Sequence, residues 1–128
     1  MKHLFLAVFS FFLFASCNNK ELPTKIELTD TSILVLLSYQ STQSEVEQLK
    51  TDLQSRYGLT VDDSGTRYFD DGKLRDLKLS VQNSSGKGGS VQAMLFALEK
   101  NYWGFQMKVV DGKIVPMRFG NFGSQIDG

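Results

Sequence analysis

The sequence predicts an α+β fold, with one amphipathic helix packed on a mostly antiparallel sheet of about five to six strands. Three observations carry this. Ile33 to Leu37 is a short apolar run rich in β-branched residues. Val46, Leu49, Leu53 and Tyr57 recur at helical spacing. Asp71-Gly72 and Asp111-Gly112 punctuate alternating segments as hairpin turns do. The 128 residues suffice for one domain, and 41% hydrophobic with 12% aromatic content gives that domain a core rather than a disordered chain. Fourteen basic and fourteen acidic side chains balance, so binding to nucleic acid by phosphate neutralisation is not expected.

Taken in order, the first strand is expected within residues 26–39. Ile33, Val35, Leu37 and Tyr39 alternate with Leu34, Leu36 and Ser38, and apolar residues on both faces imply a central strand. A helix over about 43–57 follows. Thr42 and Glu45 form a capping box, each side chain satisfying the other end's free amide, and Gly58 supplies a left-handed stop. A strand is predicted from Leu59, continuing through Phe69, before the turn Asp70-Asp71-Gly72. The next runs from Leu74 to Val81, with Leu77, Leu79 and Val81 on one face. Asn83 to Gly89 is a flexible loop. Ser90 to Leu98 fits either a strand or a short helix, and the glycine-rich loop before it favours a strand. Phe105–Val110 and Lys113–Phe119 form the last hairpin, in which Pro116 confines the final strand to a sheet edge. The segment 121–128 is expected to be a tail.

Residues 1–16 read as a signal peptide. Lys2 and His3 give a cationic start, and Leu4 to Phe14 is an apolar run of about eleven residues, too short to span a bilayer. It ends at Phe14-Ala15-Ser16-Cys17, and this ending resembles the type II signal of bacterial lipoproteins, with Phe14 where leucine is usual. The resemblance implies a lipid on Cys17, the first mature residue, and hence a membrane anchor. An ordinary secreted protein with a free or buried Cys17 is the alternative. Asn18 to Lys25 is polar, contains Pro23, and reads as a tether, giving a tether over 17–25 and a single domain over 26–120. Lys20-Glu21 after the cysteine resembles the surface-export signals of Bacteroidota lipoproteins, which implies the cell envelope, at the outer membrane. The unit from Ile33 through the helix to Gly58 resembles a strand–helix module of small Bacteroidota envelope proteins and of the extracytoplasmic parts of BlaR1-type membrane metallopeptidases, where it serves as an accessory sensing or interaction module. The HExxH motif of those peptidases is absent, so no protease activity carries over.

Loss of residues 1–16 removes His3, the only histidine, and a lipid would occupy Cys17, the only cysteine. Ser-His-Asp, Cys-His and Cys/His zinc chemistry are then excluded. No catalytic residue, metal site or cofactor is expected. Asp62-Asp63 and Asp70-Asp71 are carboxylate pairs that suit calcium or acid–base work but also suit turns. Ser84-Ser85-Gly86-Lys87-Gly88-Gly89-Ser90 lacks the spacing of a P-loop and reads as a hairpin loop. Arg67, Arg75 and Arg118 lie on predicted strands without defining an anion site. Tyr102, Trp103 and Phe105, near Phe119 and Phe122, form the densest aromatic cluster; it either plugs the core or offers a binding surface for a glycan, lipid or protein. The function expected is that of a lipid-anchored, non-enzymatic envelope module that binds another protein or an envelope component, as an accessory subunit of an envelope complex or as a tethered inhibitor or immunity-type protein. A small glycan- or lipid-binding domain built on Trp103 is the alternative.

Overall fold

The computed structural model describes residues 21–124. The fold is α+β with antiparallel pairing throughout, but it has eight strands in two sheets instead of one sheet of five to six. The first sheet has the order β1 (Lys25–Leu28), β2 (Ser32–Leu37), β7 (Tyr102–Val110), β8 (Lys113–Gly123). In the second, β5 (Leu74–Gln82) pairs with β3 (Thr60–Asp62), β4 (Arg67–Tyr68) and β6 (Gly88–Ala93).

The extra strands come from turns inside segments that look continuous in sequence. Residues 26–39 divide into the hairpin β1–β2, with Lys25 opposite Leu36 and Leu28 opposite Ile33. The break is local polar chemistry. The Thr29 hydroxyl accepts from the Ser32 N–H at 3.0 Å, and the Thr29 N–H donates to the Ser32 carbonyl at 2.9 Å. Likewise β3 and β4 are separated at 63–66, where the Asp62 carboxylate accepts from the Ser64 N–H at 3.0 Å. The segment 90–98 is a strand only to Ala93. It then turns into α2 (Leu95–Leu98), so the strand expectation holds for its first part alone.

Helix α1 (Gln43–Tyr57) matches its signals. The Thr42 hydroxyl accepts from the Glu45 N–H at 3.2 Å, the Glu45 carboxylate accepts from the Thr42 N–H at 2.9 Å, and Gly58 ends the helix at φ 69°. Its buried stripe is Val46, Leu49 and Leu53. Leu49 and Leu53 meet Ile33, Val35 and Leu37 of β2, Leu77, Leu79 and Val81 of β5, and Phe105 and Met107 of β7 in one core. The two sheets touch where Phe119 of β8 lies over Gly89 of β6. A Cβ at Gly89 would stand 2.5 Å from that ring. Phe119 also stacks on Phe105, with centroids 5.3 Å apart.

The hairpin β7–β8 turns at Asp111-Gly112, both in the left-handed region. Nine residues of β7 face eleven of β8, and register shifts beside Tyr102 and Gln106 absorb the difference. Pro116 sits on β8, an edge strand as its missing N–H requires. That strand continues to Gly123, past the expected end at Phe119 and into the expected tail 121–128.

Fold also begins earlier than the polar composition of 18–25 suggests. Leu22 is fully buried, in a second apolar cluster with Leu36 and Tyr102 that Leu34, Tyr39 and Phe122 border. Residues Leu34 and Leu36 give β2 an apolar outer face as well as an inner one, and Leu22 covers part of it. Both faces of a central strand are thus buried, as its unbroken hydrophobicity demands.

Candidate functional site

The elements run between two ends of the molecule. At one end lie residues 22–24, the N-terminus of α1, the turn 69–73, α2 and the start of β7. At the other lie the turns 29–31 and 111–112, the C-terminus of α1 and the loop 83–87. A helix of fifteen residues links them, which sets the ends about 22 Å apart.

The first end is held by polar groups that the sequence places close together. Ser38 and Ser41 are both buried. The Ser38 hydroxyl donates to the Leu22 carbonyl, and the Leu22 N–H donates to the Gln40 side-chain carbonyl. The Ser38 N–H donates to the Ser41 hydroxyl at 3.0 Å, and Ser41 and Thr24 share a hydrogen bond at 2.7 Å. Thr24 also donates to the Glu45 carboxylate at 2.9 Å, joining the N-terminal segment to the capping box. The Tyr102 hydroxyl donates to the Pro23 carbonyl at 2.7 Å. Three consecutive residues, 22–24, are therefore bound to the loop between β2 and α1, to α1 and to β7. This is a fixed point of departure for the chain that precedes them.

The aromatic cluster divides at this end. Tyr102 and Phe105 are buried, so an exposed surface of Tyr102, Trp103 and Phe105 does not form. Alternation explains it: Phe105 points into the main core against Phe119, while Tyr102 points to the other sheet face against Leu22. Trp103 is half-buried, and its indole N–H donates to the Ala97 carbonyl at 3.2 Å. The exposed rings and thioethers lie elsewhere. Met94, just before α2, and Phe96, within it, are 61% and 64% exposed, and Phe69 stands at 43%.

The opposite end carries a cleft of about 500 Å³ lined by Tyr57, Asn83, Lys87, Ile114, Val115 and Pro116 among others. Asn83 shapes it, donating from its side-chain amide to the Ile114 carbonyl at 3.0 Å and accepting from the Ser85 and Lys87 N–H groups at 2.9 Å each. Tyr57 donates to the Thr29 carbonyl at 2.7 Å, and burial pushes its hydroxyl pKa up. Val110, Val115 and Met117 are exposed on the strands beside this end.

The carboxylate pairs do not assemble. Asp63 accepts from Lys50 at 2.8 Å, Asp62 caps the Ser64 turn and is held below the usual carboxylate range by those Ser64 hydrogen bonds, and Asp71 accepts from the Lys73 N–H at 2.9 Å. Arg75 lies 3.3 Å from Asp76, and Arg118 covers the Phe122 ring at 4.2 Å. Among the described residues no group of three or more metal-binding side chains occurs, and no helix is long and apolar enough to cross a membrane. Compared with known protein families, curated proteins and solved structures, the chain matches none. Cys17 and residues 1–16, the expected signal peptide, lie outside the described residues.

Sequence reasoning missed Leu22 as a structural residue. Its signal was available: Leu22 is the lone large apolar side chain between Cys17 and Lys25. The exposed pair Met94 and Phe96 was also missed, because strand periodicity was applied across a helical turn.

Proposed function

We propose that the protein is a lipid-anchored module of the bacterial cell envelope that works without catalysis, by binding another protein. The lipid sits on Cys17, and the outer membrane is the site of attachment. The observation that carries the reading is the fixed position of residues 22–24. Four residues, Asn18 to Glu21, separate that fixed point from Cys17. Even fully extended, the five steps from Cys17 to Leu22 reach no more than about 18 Å. An acyl group on Cys17 would hold one particular end of the domain at the bilayer, where two or three chains suffice for stable attachment. The other end, with its cleft and the exposed Val110, Val115 and Met117, then faces outward toward a partner. A non-enzymatic role is supported by the engagement of Asp62, Asp63 and Asp71 in turns and an ion pair.

The test has two arms. Metabolic labelling with a clickable fatty acid is expected to tag the native protein and to miss Cys17→Ser. A photo-crosslinking residue at Val115 or Met117, in intact cells, is expected to give one adduct of defined mass. Equal tagging of both chains would remove the anchor. Recovery of the bait alone from every outward position would remove the binding role.

A further inference from the structure

We propose that the anchored domain rests on the membrane through Met94 and Phe96, so that α2 and its flanks form a bilayer contact. The inference depends on the anchor reading above and specifies how the anchored domain sits.

Its basis is convergence. The Tyr39 N–H donates to the Leu98 carbonyl at 3.2 Å, and the Trp103 indole donates to the Ala97 carbonyl at 3.2 Å. Residues 38, 40 and 102, the immediate neighbours of those two donors, are the ones that bind Leu22 and Pro23. The short helix is thus stitched to the point where the anchored segment enters the fold. Glu21 and Glu99 both act on the Tyr39 hydroxyl, which burial and these two carboxylates push up, so the chain before Leu22 and the end of α2 flank the same ring. Phe69 belongs to the same end: its turn is bound through the Gln43 N–H to the Gly72 carbonyl and through the Leu74 N–H to the Ser41 carbonyl, each at 2.8 Å.

A bilayer is the occupant that the chain length selects. The reach from Cys17 to Leu22 of about 18 Å is less than the separation of about 22 Å between the two ends of the domain. An acylated Cys17 would therefore hold the Leu22 end within about 18 Å of the headgroups and rule out the upright pose in which the cleft end alone meets them. Met94 and Phe96, more than half exposed, are the most exposed of the large apolar side chains presented there, with Phe69 beside them. On a chain already tethered the contact is intramolecular and needs only to bias orientation.

The experiment uses the full lipidated chain in vesicles of phosphatidylethanolamine and phosphatidylglycerol. An environment-sensitive fluorophore is placed at Phe96→Cys in one sample and at Ser85→Cys, in the loop of the opposite end, in another. A blue shift with gain of emission at position 96, quenched by a lipid-borne quencher, with neither change at position 85, is expected. In the unsubstituted chain, Trp103, the only tryptophan, is expected to be quenched by lipids brominated near the headgroup. That quenching should drop in Met94→Ser/Phe96→Ser. Unshifted emission at position 96, or equal shifts at both positions, from protein that floats with the vesicles would overturn the contact and leave the anchor standing. A shift at position 96 that appears only in native envelopes, or grows with protein concentration without lipid, would assign the surface to a protein or a second copy and also overturn it. A chain that carries no acyl mass and fails to float would overturn both readings.

Discussion

Leu22→Ala tests whether the segment after Cys17 is fold or tether. The Leu22 side chain has no solvent exposure and packs with Leu36 and Tyr102. Removing a buried leucine side chain costs about 2–5 kcal/mol, depending on how far the site collapses. Leu22 lies in a terminal segment and part of the gap can close, which selects the lower half, about 2–3 kcal/mol. For a domain of this size such a change lowers Tm by about 10 °C. The assay is urea unfolding of a chain without residues 1–16 and with Cys17→Ser, followed by Trp103 fluorescence. The midpoint should fall at constant slope, because the surface exposed on unfolding hardly changes. Glu21→Ala, at an exposed neighbour, should stay within about 0.5 kcal/mol. A Leu22→Ala change of that same small size would refute the fixed departure point. Leu22 would then no longer mark the end of a reach of five residue steps from Cys17.

Two further perturbations probe the scaffold. A Cβ at Gly104 would lie 1.8 Å from the Val35 carbonyl oxygen, so Gly104→Ala must push β7 from β2 and should cost about 3 kcal/mol or more; a thermal melt within a few degrees of the parent would contradict this approach of the strands. Tyr68→Phe tests a buried hydroxyl that has no hydrogen-bond partner among the described residues and whose pKa burial pushes from 10.0 up to about 12. Below pH 10 the phenol is neutral in folded and unfolded chains alike. Between pH 10 and about 12 the unfolded chain alone releases its proton, and stability falls by at most about 1.4 kcal/mol per pH unit. The phenylalanine variant should lose less stability across that window and be no less stable at pH 7, measured by denaturant unfolding at stepped pH. Parallel losses in both chains would refute the assignment.

Most of the fold was legible where local signals and tertiary demands agree. The capping box at Thr42 and Glu45, the Gly58 stop and the Asp111-Gly112 hairpin all act within a few residues, and each stands where the spacing put it. Division into two sheets was not legible, because it is decided by short turns. Thr29 and Ser32 break the first strand by hydrogen-bonding each other, and no apolar periodicity records that. Nor is the junction of the sheets written in any pattern. It depends on Gly89 leaving room for a ring thirty residues later in the chain. The bulges in β8 shift its parity twice, so alternation read through Met117 and Phe122 assigns side chains to wrong faces.

The candidate site was legible only in its chemistry, and the reason bears on how such a protein works. Aromatic density drew attention to Tyr102, Trp103 and Phe105, yet density is also what a core requires, and two of the three rings are buried. What distinguishes this end of the molecule is not ring content but the way polar groups bind the incoming chain. Ser38, Gln40 and Ser41 come from the loop between β2 and α1 and Tyr102 from β7, and all act on residues 22–24 or on each other. A loose linker would let an anchored domain tumble and expose every face in turn. If Cys17 carries the proposed anchor, a chain bound at residues 22–24 would leave only four residues, 18–21, between the anchor and the bound segment, and so would restrict that freedom before any partner arrives. Part of the entropy of orientation would then be lost on folding instead of on binding, and the proposed partner at the cleft end would meet a surface already turned toward it.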